Sequence, residues 1–270
     1  MTSIVLLTGT ELRHQFMRRY LAIPDRIQIL RTYCEGEQRS LQNIVAETNP
    51  DPHDIRLAHL AARTASEEDF FQLFVDNINS EDSNPYYIPK GDINKKEHQQ
   101  AIINLNPDLI VAYGCSIIRE PLVSAFENRF LNLHLGLSPY YRGSGTNFWP
   151  LVNKEPEYVG ATFMYLDKGI DTGNIIHQIQ ARFYPGDTPS QIGNRLIKDA
   201  AGVYCRIILF YDRLERMPQP PKKPKGAKYY KAKDYSTEAT HQLYQNFRDY
   251  MIEDHIENPK KIKLVRNKAL

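Results

Sequence analysis

Apolar positions along this chain fall into short runs separated by stripes at helical spacing. Residues Ser3 to Gly9 form a short apolar run that predicts a buried parallel strand. The turn Thr8-Gly-Thr10 follows, and Leu12, Phe16 and Tyr20 then share one helical face that stops before Pro24. Ile27 to Thr32 predicts a second strand, more polar and so nearer a sheet edge. Leu57, Leu60, Ala61, Phe70, Phe74 and Ile78 make a broad helical stripe, with His59 beside it as a packing or surface histidine. Residues 84–89 predict an extended loop, because Asn84 and Ile88 each precede a proline. A helix over Lys95 to Leu105 leads to Leu109-Ile-Val-Ala-Tyr113, the signature of a central strand. A short helix over Leu122 to Phe126 delivers the chain to an apolar run ending in Phe130-Leu131. Further strands are expected over Val159 to Leu166 and Asn174 to Phe183. Thr188 and Pro189 read as N-cap and first residue of a long helix. It buries Ile192, Leu196, Ala200 and Val203 and runs to about Met217. Strands alternating with helices predict an α/β, Rossmann-like fold with a mostly parallel sheet. Its ligand crevice lies at the carboxyl ends of the strands.

The composition then shifts. Met217 to Gly226 is rich in proline and lysine, and Leu243, Phe247 and Met251 beyond it recur at helical spacing. The expected organisation is a catalytic domain over 1–217, a linker over 218–235 and a short helical C-terminal extension over 236–270. From Pro218 onward the chain holds twelve Lys and Arg against six Asp and Glu, so +6 of a whole-chain charge of +2, leaving −4 on the rest. A basic tail can touch RNA, but a solvated appendage packing one apolar face is the expectation. The overall charge argues against a nucleic-acid partner. Three widely spaced cysteines, Cys34, Cys115 and Cys205, suggest reduced thiols without a metal pattern. No apolar run reaches membrane length, and the N-terminus does not resemble a leader, so the expected location is cytoplasmic. The dinucleotide fingerprint G-x-G-x-x-G is absent, so NAD is not expected.

Candidate chemistry concentrates between Phe130 and Asp187. Asn132 and His134 stand two apart on a strand end and therefore share a face. The chain then breaks into a Gly/Ser/Pro/Tyr loop. Asp171 comes later, in the turn Lys168-Gly-Ile-Asp-Thr-Gly173. An imidazole can shuttle a proton, a carboxylate can orient it, and a carboxamide can donate to a developing oxyanion. Spacing alone equally allows a structural Asn and His and an Asp used only in its turn.

Asn132-x-His134, Pro139, Tyr141-Arg142-Gly143 and Asp171-Thr172-Gly173 together resemble the folate-dependent formyltransferase family. That family includes glycinamide ribonucleotide, methionyl-tRNA and sugar N-formyltransferases. Its usual pattern, Asn-x-His-x-Ser-Leu-Leu-Pro, is altered here to Gly136 and Ser138, while Pro139 keeps the register. The resemblance implies catalytic roles for Asn132, His134 and Asp171. It implies a folate wall at Tyr113, Gly114, Cys115, Ser116, Ile117 and Ile118, joined by Gly169 and Ile170. Gly114 would admit close backbone approach. Tyr141 and Arg142 are expected on the acceptor side, although Arg142 can equally cap a neighbouring carbonyl. The co-substrate implied is 10-formyltetrahydrofolate, without a metal.

The resemblance points to formyl transfer onto a primary amine of a small molecule, first a nucleotide-linked amino sugar, since the tail is short and lacks a barrel pattern. Glycinamide ribonucleotide or methionyl-tRNA formylation, hydrolysis of the donor, and a non-catalytic folate-binding module are the alternatives. No membrane partner is expected, and a homodimer contact through the tail is left open.

Overall fold

A computed structural model describes residues 1–36, 41–48, 51, 53–78, 85–169, 171–215 and 226–270. β1 (Thr2–Gly9) leads to α1 (Leu12–Leu21) and β2 (Ile27–Gly36). α2 (Leu41–Thr48), α3 (Ile55–Glu67) and α4 (Leu73–Asn77) follow, with one π turn at Glu68–Gln72. β3 (Pro85–Pro89), α5 (Lys96–Leu105), β4 (Leu109–Tyr113), α6 (Leu122–Ala125) and β5 (Phe130–His134) come next. β6 (Tyr141–Gly143), α7 (Trp149–Val152), β7 (Gly160–Tyr165), β8 (Ile175–Gln180) and α8 (Pro189–Leu209) complete the central region. The C-terminal segment carries β9 (Lys228–Tyr230), α9 (Thr237–Arg248) and α10 (Met251–Glu257).

The main sheet has the order β3-β2-β1-β4-β5-β7-β8. It is parallel from β3 to β5, then antiparallel through β7 and β8. The period-two rule sorts each parallel strand between two cores. Ile4, Leu6, Leu109, Val111, Leu131 and Leu133 pack with α1 and α8 on one face. Val5, Leu7, Ile110, Ala112 and Phe130 pack with α5 and α6 on the other. Burial on both faces is why Leu109 to Tyr113 is apolar throughout. The α8 start is a capping box: Thr188 Oγ1 accepts from Gln191 N at 3.3 Å, and Gln191 Oε1 accepts from Thr188 N at 2.9 Å.

Three expectations change. Residues 85–89 are not a loop but β3, paired in parallel with β2 at the sheet edge. Its prolines are tolerated there because one side of an edge strand needs no ladder; Asn84 lies outside the described residues. α8 stops at Leu209, and a single 3-10 turn over Tyr211–Arg213 follows; Met217 lies outside the described residues. Of the expected linker, residues 218–225 also lie outside them, while its described end holds β9 and a 3-10 turn at Ala232–Asp234.

The tail makes two separate attachments. Leu243, Met251 and Ile252 are buried in the first core, with Phe247 packed against it. Asn246 Nδ2 donates to Leu151 O and Val152 O, each at 2.8 Å, and so occupies carbonyls at the end of α7. Beyond α10, residues 258–270 run without helix, and Val265 and Asn267 meet the outer edge of β8. Gln178 N donates to Val265 O at 2.8 Å, and Val265 N donates to Gln178 Oε1 at 3.0 Å. This segment covers an edge that would otherwise offer unpaired backbone groups.

Candidate active site

Asn132 and His134 continue the face of Phe130 on β5, the face served by α5 and α6. His134 is opposite Thr162 of β7 and Asn132 opposite Met164. Asp171 follows β7 in a left-handed conformation, φ 52°. Its turn is tied by Asp167 Oδ1, which accepts from Gly169 N at 2.9 Å and Thr172 Oγ1 at 2.8 Å. The turn brings Asp171 Oδ1 to 3.4 Å from His134 Nδ1. On its other side His134 Nε2 is 3.0 Å from the main-chain carbonyl of Tyr141. A carbonyl can only accept, so Nε2 carries a proton. Asp171 Oδ2 accepts from Gly143 N at 3.1 Å. His134 and Asp171 are both largely buried, so their pairing is little screened.

The altered position Gly136 bears directly on His134. A Cβ built there would fall 2.5 Å from His134 Nε2 and 2.7 Å from Thr146 Cβ. A serine at this position would displace the imidazole from the place it occupies. The turn after it is held by groups with no obvious sequence signal. Thr162 Oγ1 donates to Gly136 O at 2.6 Å, and Gln178 Nε2 donates to Ser138 O at 2.7 Å. Buried Thr and Gln inside predicted strands were the available hint.

The end of β4 borders a cavity of about 510 Å³. Cys115, Ser116 and Ile117 line one wall, and Lys90, Gly91 and Asn94 another. Glu35, which carries no motif in the sequence, pins both walls. Its Oε1 accepts from Gly91 N at 2.8 Å and its Oε2 from Ser116 N at 2.6 Å. Burial, with Glu35 nearby, pushes the Cys115 thiol up to about 12, so it is a neutral wall group and not a nucleophile.

The remaining sequence-selected residues separate by where their side chains go. Ile118 is buried in the second core, away from the cavity. The Tyr113 ring is buried in the first core, edge-on to His14 at 5.0 Å, and burial pushes its phenol up to about 12. Gly114 has φ 72°, and a Cβ there would lie 2.1 Å from His14 Nε2. The close approach this glycine permits is therefore made by His14. Buried beside Arg13 and Arg63, His14 has its pKa pushed well below the ordinary imidazole value, burial being the main cause. Tyr141 is buried as well, and offers His134 its carbonyl and not its ring. Arg142, half-buried, lies in register with Tyr229, whose ring is half exposed. Gly169 is exposed in the Asp171 turn, and Ile170 lies outside the described residues. Among the described residues no group of three or more His, Cys, Asp or Glu is placed to hold a metal, and no helix is long and apolar enough to cross a membrane.

A formyl transferase family model matches residues 34–208. The chain is 36% identical over 144 residues to methionyl-tRNA formyltransferase of Desulforamulus reducens, a match covering 51% of this chain and 45% of that protein. The chain thus spans less than half of the length of the curated relatives it matches. A sugar N-formyltransferase from Shewanella sp FDAARGOS_354 superposes with a TM-score of 0.57 at 17% identity, covering 91% of this chain and 87% of that one. The Helicobacter canadensis N-formyltransferase, solved with folinic acid and dTDP-3-aminofucose, superposes with a TM-score of 0.54 at 15% identity, covering 93% and 82%. At such identities the two structures share the fold. The matched family model spans β2 to α8, including Asn132, His134, the Asp171 turn and the β4 wall, and the chain belongs to the formyl transferase family.

Proposed function

We propose that this protein is an N-formyltransferase that uses 10-formyltetrahydrofolate and a primary amine of a small molecule, a nucleotide-linked amino sugar. The observation that carries the reading is His134 held between the Tyr141 carbonyl and Asp171, on the strand face shared with Asn132. The donor, when bound, supplies the formyl group, and the cavity beside Cys115, Ser116, Ile117 and Asn94 is the site we assign to it. Its size and its walls, apolar at Ile117 and Cys115 and polar at Asn94 and Ser116, suit a flat heteroaromatic ring. The chain's own residues divide the remaining work. His134 holds a proton on Nε2, donated to the Tyr141 carbonyl at rest, and turns that N–H towards an oxygen that gains negative charge. Asn132 adds a second donor from the same strand face. Asp171 stabilises a protonated His134 ring across the Nδ1 contact and accepts the proton released by the attacking amine, directly or through water. The reaction belongs in the cytoplasm, where reduced folates are.

The amino-sugar acceptor is supported by fold-level likeness over 91% of the chain to a sugar N-formyltransferase. Methionyl-tRNA is the second reading, supported by the 36% identity to the bacterial enzyme. One experiment separates them. The purified protein is incubated with 10-formyltetrahydrofolate and, in parallel, with nucleotide-linked amino sugars, glycinamide ribonucleotide and methionyl-tRNA. Mass spectrometry should show the gain of one formyl group on an amino sugar. Formylation confined to methionyl-tRNA overturns the acceptor assignment, and none on any amine overturns the transfer itself.

A further inference from the structure

Two contacts to the catalytic pair come from one three-residue strand. β6 gives Tyr141 O to His134 Nε2 and Gly143 N to Asp171 Oδ2. So short a strand cannot hold itself in place. Among the described residues its ladder partner is β9, in the register Tyr141 to Lys228, Arg142 to Tyr229 and Gly143 to Tyr230. Lys228 N donates to Tyr140 O at 2.7 Å, and Ser144 N donates to Tyr230 O at 2.9 Å, so β6 is bracketed at both ends.

Side chains lock the same ladder. The buried Tyr141 hydroxyl donates to the Glu155 carboxylate and accepts from Asn153 Nδ2 at 2.9 Å. Burial and the hydrogen bond to Glu155 push the phenol pKa upward, so the hydroxyl stays a donor. Lys228 Nζ reaches both Glu155 oxygens, at 2.6 and 2.8 Å, and lies 5.1 Å from the centre of the Tyr141 ring. Asn153 Nδ2 also donates to Tyr230 OH at 3.0 Å, and the Tyr230 ring stacks on Trp149 at 4.0 Å and 5°.

We propose that Lys228 is a positioning residue for His134, acting through Glu155 and the Tyr141 carbonyl, so that the C-terminal segment sets the geometry of the catalytic pair. The kinetic part of this inference rests on the formyl-transfer reading above. The Lys228 and Glu155 side chains are each 30% exposed, so their pair contributes little to stability. Its effect is on where the Tyr141 carbonyl sits. A remote misplacement of about 1 Å costs on the order of 100-fold in rate.

The test uses Lys228→Met, which keeps the stem and removes the charge, and Lys228→Arg, which restores it, in the full chain. Heteronuclear NMR of labelled histidine reads His134 without any turnover. The parent should show a protonated, slowly exchanging Nε2; Lys228→Met should lose that signal and Lys228→Arg regain it. In parallel, kcat should fall about tenfold in Lys228→Met, with KM for the acceptor within about twofold of the parent. An unchanged His134 signal in a folded Lys228→Met overturns the proposal, and so does a loss confined to the acceptor KM. If Lys228→Met does not fold, Glu155→Gln removes the same ion pair and is judged by the same spectrum. A parent without formyl transfer but with the His134 signal moving as stated sinks the transfer reading and upholds the positioning role.

Discussion

The two halves of the main sheet are built in different ways. From β3 to β5 the strands are parallel, and short apolar runs with a helix between neighbours account for most of them. From β5 to β8 the sheet turns antiparallel, and its edge is finished by residues 258–270. The cavity proposed for the donor lies at the end of β4, in the first half. His134 and Asp171 stand at the seam with the second, fixed by β6 and through it by β9. Both regions rest on distant chain, but in different ways: the cavity walls are pinned by one carboxylate, Glu35, from 56 and 81 residues away, whereas His134 and Asp171 are held by backbone groups of β6, which pairs with β9.

The largest effect should come from the seam itself. His134→Ala and Asp171→Asn should each lower formyl transfer by about 100-fold or more, the scale of losing one oxyanion donor. Binding of 5-formyltetrahydrofolate, measured by calorimetry, should stay within about threefold, because the cavity wall is not touched. If either variant keeps activity within about tenfold, the assigned roles are wrong; if both lose the ligand, chemistry and donor binding are not divided as described.

A smaller effect tests how far the tail belongs to the second half. Leu243 is fully buried in the first core. Leu243→Ala should cost about 3 kcal/mol in urea unfolding, as deletion of a core side chain leaves a cavity. A single cooperative transition, shifted as a whole, makes tail and sheet one folding unit. A cost under about 1 kcal/mol, the scale of a surface change, restores the picture of a separable appendage over 236–270.

The last effect, absent at neutral pH, is on the edge of β8. His177 Nδ1 accepts from Asn267 N at 3.1 Å, so the folded ring is neutral. Burial, then Arg266 and Arg206, lowers its pKa from 6.5 to about 4. The unfolded chain takes up a proton that the folded chain refuses. The stability held by the neutral ring is complete above pH 6.5, is lost as the pH falls, and levels off below about 4. The parent should lose up to about 3 kcal/mol more than His177→Gln across that window, read as urea midpoints against pH. Parallel curves for the two proteins would show that His177 does not clasp residues 265–267.

What the sequence determined by itself was local. Periods of two and of helical spacing located β1, β4, β5 and α8, because burial on one or both faces writes itself into neighbouring residues. The same period placed Asn132 and His134 on one strand face. Residues 84–89 were misread because an edge strand is stabilised by its neighbour and leaves little pattern of its own. Tertiary structure alone decided which atoms meet. It turned Tyr141 inward so that its carbonyl faces His134, filled the space over Gly114 with His14, and gave Glu35 two loops to hold. It also set Lys228 beside a strand that ends 85 residues earlier in the chain, from Gly143 to Lys228. Such contacts depend on loop closure and on pairing between distant segments, so no spacing in the sequence encodes them.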